Sequence, residues 1–153
     1  MIDIDEVDYI EMADITAAAG SGYFVLDNVK NKKHFPVAKS MLKEYGLKPK
    51  YTLVVPVKGR SMEPTVPDGC LVLLDTTPIE DVNIIHEKVY VISLEDLCYI
   101  KRFKLIPRSR VIKGESDNRD FAFTDLTIDK EVSQANLKII GRLACIVKSS
   151  YGL

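Results

Sequence analysis

The sequence has little surplus charge of either sign. Its 21 Lys and Arg against 22 Asp and Glu leave a formal net charge of −1, which argues against a general nucleic-acid binder. Cysteine is scarce as well. Cys70, Cys98 and Cys145 form no C-x-x-C pair and are odd in number, so neither a zinc site nor a disulfide framework is indicated. That usage fits reducing cytoplasm. No apolar run approaches the length of a membrane span, and the N-terminus is acidic rather than basic. Neither a transmembrane helix nor a secretion signal is therefore predicted. What is present is 153 residues at 46% hydrophobic, enough for one domain with a sizeable core.

Residues 1–14 concentrate the carboxylates Asp3, Asp5, Glu6, Asp8, Glu11 and Asp14, and no Lys or Arg precedes Lys30. Such a run reads as a solvated arm, although Val7, Tyr9 and Ile10 are apolar enough to lie along a sheet edge. Ile15 to Gly22 turns to small uncharged residues, which on composition alone is a flexible linker. Tyr23 to Leu26 reads as a short strand. Pro36 is placed to open the one substantial helix, with Val37, Met41, Leu42 and Tyr45 on one face and Gly46 as its stop.

The central stretch is Val57-Lys58-Gly59-Arg60-Ser61-Met62-Glu63-Pro64-Thr65-Val66-Pro67-Asp68-Gly69-Cys70, set between apolar runs at Leu53–Val57 and Leu71–Leu74. The pattern is strand, Gly-opened corner, Pro-interrupted loop, Asp-Gly turn, strand. Serine in such a turn is ordinarily a turn residue. The same placement suits a nucleophile, because two rigid strands fix Oγ and Gly59 admits a close backbone approach.

Further on, Val89 to Ser93 and Leu97 to Leu105 read as consecutive strands joined by a turn at Glu95-Asp96. Alternation puts Leu97, Tyr99, Lys101, Phe103 and Leu105 on one side, leaving Lys101 as the charge on an apolar face and Arg102 and Lys104 facing solvent. Such a lysine either snorkels to water or is buried. Burial disfavours the ammonium, and a neutral amine near physiological pH is a base.

Gly59-x-Ser61-Met62-x-Pro64-Thr65 followed by Asp68-Gly69 resembles the active-site box of the LexA-type serine-lysine peptidases, a group that includes phage repressors, UmuD-type proteins and signal peptidases. Val89 to Ile92, Tyr99-Ile100-Lys101-Arg102-Phe103, Ser116-Asp117-Asn118 and Ile139-Ile140-Gly141-Arg142-Leu143 are similar to later segments of that family. The likeness runs from about residue 15 to the C-terminus. Cys70 departs from it where an acidic residue is usual, and Glu87 where glycine is common. The predicted absence of a span or secretion signal separates the chain from signal peptidases.

The resemblance implies a mainly β fold of strongly bent antiparallel sheets with one short helix. Residues 1–14 would be an acidic arm or linker, and residues 15–153 a peptidase and dimerisation domain. It further implies Ser61 as nucleophile, Lys101 as general base, the corner about Gly59 and Met62 as oxyanion site, and Ala19-Gly20 as the bond the chain cuts in itself. No metal or organic cofactor is implied. The expected setting is cytoplasmic, with no membrane partner. Two functional readings follow. One is the dimerising regulatory half of a LexA or phage-type repressor, cleaved in the SOS response when a RecA filament favours the cleavable state. Its DNA contacts would come only from a helix-turn-helix domain outside this sequence, since the residues before Ile15 hold none. The other is a UmuD-like self-processing mutagenesis protein with a polymerase partner. An inert dimerisation module is a third.

Rival chemistries are weaker. His34 and His86 sit in polar loops with nothing to aim them at Ser61. Cys70 and Cys98 read as buried, inert thiols. Ser40-x-x-Lys43 with Ser116-Asp117-Asn118 imitates two penicillin-binding-protein motifs, but Lys-Thr-Gly is missing. The cluster Lys101, Arg102, Lys104, Arg108, Arg110, Lys113 reads as a solvated hairpin. The long apolar strand Leu137 to Val147, with no obvious partner in the chain, is a candidate dimer surface.

Overall fold

One hydrogen-bonded sheet runs through the computed structural model, which describes residues 6–13, 15–17, 23–26, 33–95, 97–131 and 137–148; residues 15–17, 23–26 and 148 are described by backbone alone. The strands are β1 (Val7–Met12), β2 (Ile15–Ala17), β3 (Tyr23–Leu26), β4 (Lys33–Ala38), β5 (Thr52–Pro56), β6 (Leu71–Asp75), β7 (Lys88–Leu94), β8 (Leu97–Leu105), β9 (Val111–Glu115), β10 (Leu126–Asp129) and β11 (Leu137–Lys148). Their order is β10-β9-β8-β7-β11-β6-β5-β1-β4, with β3 pairing both β2 and β8. The fold is mainly β, as expected. It differs in being a single mixed sheet, because β1 meets β5 in parallel at Met12 and Val54.

β6 shows why the sheet has two buried sides. Leu71, Val72, Leu73 and Leu74 are all buried, and alternation sends Val72 and Leu74 into one core and Leu71 and Leu73 into another. The first core also takes Val55, Val57, Met62, Val66, Val91 and Ile100. A third, formed by Ile85, Tyr90, Ile92, Phe103, Ile112 and Ile128, lies at the β8–β9 end.

Four sequence expectations change here. Of the acidic segment, Val7–Met12 is strand rather than solvated arm, and Ile10 is buried against Val37 and Leu42. The helix α1 is only Lys39–Glu44, because the ladder with β1 claims Lys33–Ala38. Pro36 sits opposite Tyr9 in β4, at the sheet margin where a missing N–H is tolerated. Gly46 does end the helix, at φ 66, but Tyr45 is exposed rather than on the buried face. Finally, β11 is not unpaired. It lies between β7 and β6, and register shifts after Ile139, Leu143 and Ile146 bend it from one to the other. Its backbone therefore cannot serve a partner as a free edge, which removes the argument for a dimer surface there.

Candidate active site

The serine corner begins where β5 and β6 run out. Val57 N–H to Cys70 O at 2.8 Å and Gly69 N–H to Val57 O at 2.9 Å prolong that ladder past both strand ends. Gly59 takes φ 104, which an L side chain rarely adopts, and its N–H donates to Asp68 Oδ1 at 2.7 Å. The loop then closes through Glu63 N–H to Arg60 O and Val66 N–H to Met62 O, with Met62 and Val66 buried in the core beneath. Ser61 is held at 6% exposure. The N–H of Gly59, expected to help form the oxyanion site, thus has Asp68 as its partner. Among the described residues, the N–H groups of Ser61 and Met62 carry no hydrogen bond.

Lys101 lies on β8 and is fully buried, the largest such side chain with a charge. Tyr90 of β7 stands opposite it, and Gly114 of β9 comes so close that a Cβ there would lie 3.3 Å from Lys101 Cβ. Its Nζ donates to Ser116 Oγ at 2.7 Å and Thr124 Oγ1 at 2.8 Å, and these two hydroxyls are 2.9 Å apart. Burial pushes the amine down to about 8; Asp125 opposes that shift and Arg119 adds to it. The snorkelling alternative is excluded by this geometry. Neither hydroxyl was singled out as an amine partner in the sequence. Ser116 stood in the quoted Ser-Asp-Asn segment, whereas no local pattern marks Thr124.

Among the described residues no hydrogen bond joins Lys101 to Ser61. The turn 116–118 links them instead. Ser116 receives the amine, while Asn118 donates its N–H to Ser61 O at 3.0 Å and its Nδ2 to Arg60 O at 2.9 Å. Between them, Asp117 accepts both Arg102 Nε and Nη2 at 2.9 Å and the Thr65 hydroxyl, and donates its N–H to Met62 Sδ. Arg102 is therefore not the solvent-facing residue alternation suggested. The wider basic cluster is partly neutralised too, by Lys104–Glu115, Arg110–Asp129 and Arg110–Glu131 pairs.

Ala19 and Gly20 lie outside the described residues. Their flanks do not. Ala17 pairs with Phe24 in the β2–β3 ladder, and β3 in turn sets Tyr23 opposite Tyr99 and Phe24 opposite Cys98. Since β7 occupies one edge of β8, β3 and β9 share the other, β9 beginning at Arg102. The change of partner falls at Ile100 and Lys101. Of the rivals, His86 Nδ1 is occupied by the Leu105 N–H, and burial raises the Cys70 thiol to about 11. Among the described residues no helix is long and apolar enough to cross a membrane.

Residues 11–144 match the Peptidase S24-like family. The repressor protein CI of Enterobacteria phage phi80 is 32% identical over 139 residues, an alignment covering 90% of this chain and 54% of that protein. The chain thus spans about half the length of this curated relative. A match of that extent, over a corner, a lysine strand and a sheet of the expected class, places the chain in a family of serine peptidase-type domains: it belongs to the Peptidase S24-like family.

Proposed function

We propose that the chain is the regulatory domain of a phage-type repressor that cuts itself between Ala19 and Gly20, with Ser61 as nucleophile and Lys101 as base. One observation carries the reading: a lysine wholly inside the protein whose Nζ bonds are made to hydroxyls. Two N–H groups suffice for those two acceptors. A neutral amine has two, and retains a lone pair to take a proton. An ammonium in the same seat bears a third N–H and a charge that burial penalises.

With Ala19 presented to Ser61, the amine takes the Ser61 proton as Oγ bonds to the Ala19 carbonyl carbon. The N–H groups of Ser61 and Met62 are free to receive the resulting oxyanion. The C–N bond to Gly20 then breaks, Lys101 returning the proton to the departing amine. Water, deprotonated by Lys101, releases Ala19 from the serine. The β2–β3 ladder supports an intramolecular substrate, because it tethers both flanks of this segment to the strand that bears the base.

The repressor assignment rests on the likeness to CI, and dimerisation, DNA contact through a segment outside this sequence and induction by a RecA filament come with it. Pure chain incubated across pH 6 to 10 should yield fragments 1–19 and 20–153. The rate should rise about tenfold per pH unit below about 8, then level off, because the base acts deprotonated. Cutting that persists in Ser61→Ala or Lys101→Ala, or a rate that falls with rising pH, defeats the dyad.

A further inference from the structure

The turn between β9 and the following 3-10 helix (Arg119–Thr124) touches both halves of the site with consecutive residues. Ser116 holds the base and Asn118 the nucleophile's carbonyl. Asp117 alone bonds to both parents: to Arg102, the residue after Lys101 on β8, and to Thr65, in the loop that carries Ser61. Consecutive strand residues point to opposite sides, so Arg102 and Lys101 report one backbone position from two faces. A bidentate guanidinium–carboxylate pair fixes angle as well as distance, and with Asp117 13% exposed it is little loosened by water. Arg102 Nη1 donates to Glu87 O at 3.0 Å, which ties β8 to the entry of β7.

We propose that Asp117 is a positioning residue for self-cleavage, a brace that sets the serine loop against the lysine strand. The proposal rests on the self-cleavage reading for its role and on geometry for its existence. Asp117 touches neither Nζ nor the serine hydroxyl, so it acts through Arg102 and Thr65. It also predicts an asymmetry between the two links. Cutting the Thr65 link loosens the nucleophile loop, which Asn118 still holds, and leaves the lysine seat dry. Removing the carboxylate loosens both.

The test uses the full chain. Self-cutting is timed in Thr65→Val and Asp117→Ala, and the Lys101 amine is titrated by carbon- and nitrogen-detected NMR in the same variants carrying Ser61→Ala, which keeps the chain whole. Thr65→Val should cut about tenfold slower while Lys101 still titrates near 8. Asp117→Ala should cut about a hundredfold slower, with the Lys101 midpoint moving up toward the ordinary value of about 10.4 as water enters. The sign is diagnostic. If Asp117 acted by its charge alone, deleting it would lower that midpoint. Asp125 and Arg119, the charged groups that act on the amine, are unchanged in both variants.

The proposal is overturned if Thr65→Val cuts at the parent rate, if the Asp117→Ala midpoint stays or falls, or if rates merely follow melting temperature across the variants. A parent chain that never cuts defeats the self-cleavage reading instead, and the two Lys101 midpoints then decide the brace without it. Should Asp117→Ala not fold, Thr65→Val decides by its rate and unchanged midpoint.

Discussion

Most hydrogen bonds that shape the serine corner close within its own loop, the widest joining Val57 to Cys70. The lysine amine is held by hydroxyls 15 and 23 residues away, brought in by β9 and the 3-10 helix after it. The serine is thus set in place by turn chemistry and the lysine by tertiary packing. The difference teaches where each is vulnerable: the corner to changes in its own loop, the seat to anything that admits water or displaces β9.

Replacing the lysine breaks the comparison most completely. Lys101→Met keeps an unbranched side chain of similar length and removes the amine, so cutting should cease. Stability should move the other way. A folded pKa below the unfolded one means the unfolded chain holds more protons between about 8 and about 10.4. Wild type therefore gains stability as pH rises through that window, and at neutral pH it carries a penalty of about 3 kcal/mol. Lost amine bonds to Ser116 and Thr124 offset part of this, leaving the variant about 1–2 kcal/mol more stable near pH 7. Urea midpoints at pH 7 and pH 10 check it: the advantage should shrink at the higher pH. An advantage that grows would contradict a buried, disfavoured ammonium.

A smaller effect comes from the neighbouring strand. Gly114 sits where an added Cβ would lie 2.9 Å from Phe103 Cε1 and 3.3 Å from Lys101 Cβ. Both belong to β8, so Gly114→Ala pushes on the lysine strand at Lys101 itself. We expect a loss of about 1–3 kcal/mol in denaturant unfolding together with slower cutting. No such coupling should follow an exposed substitution in the same hairpin, such as Lys113→Ala.

The two halves were unequally legible in sequence for the same reason that they are unequally built. Gly59, Ser61 and Asp68-Gly69 announce a corner because most of the bonds that make it lie within the stretch 57–70. Period-two alternation found Lys101 and Phe103 buried on β8, although Leu97 on the same predicted face is exposed and Cys98 and Ile100 on the other are buried. It misplaced Arg102, because alternation separates two faces without saying what covers the second, and Asp117 arrives there from 15 residues away. Thr124 was invisible, its role fixed by a 3-10 turn that no pattern announces. The same blindness assigned Pro36 to a helix and left β11 unpaired, since a strand's neighbours are a property of topology rather than of its own residues.

The smallest effect concerns Glu87, whose backbone lies in the region that favours glycine. Glu87 takes φ 65, a left-handed conformation costing an L residue about 1–2 kcal/mol. What the position needs is backbone: its N–H donates to Phe103 O at 2.7 Å and its carbonyl accepts Arg102 Nη1 at 3.0 Å. Glycine keeps both bonds and removes the strain, while its greater freedom in the unfolded chain returns about 0.4–1 kcal/mol. Glu87→Gly should therefore raise the urea midpoint slightly, by about 0.5 kcal/mol in stability, with an unchanged slope. Because Arg102 keeps its carbonyl partner, the cutting rate should hold. A lower midpoint would mean that the Glu87 carboxylate, 3.7 Å from His86 Nε2, contributes more than the backbone strain costs, and that β8 is anchored by a side chain as well as by the ladder.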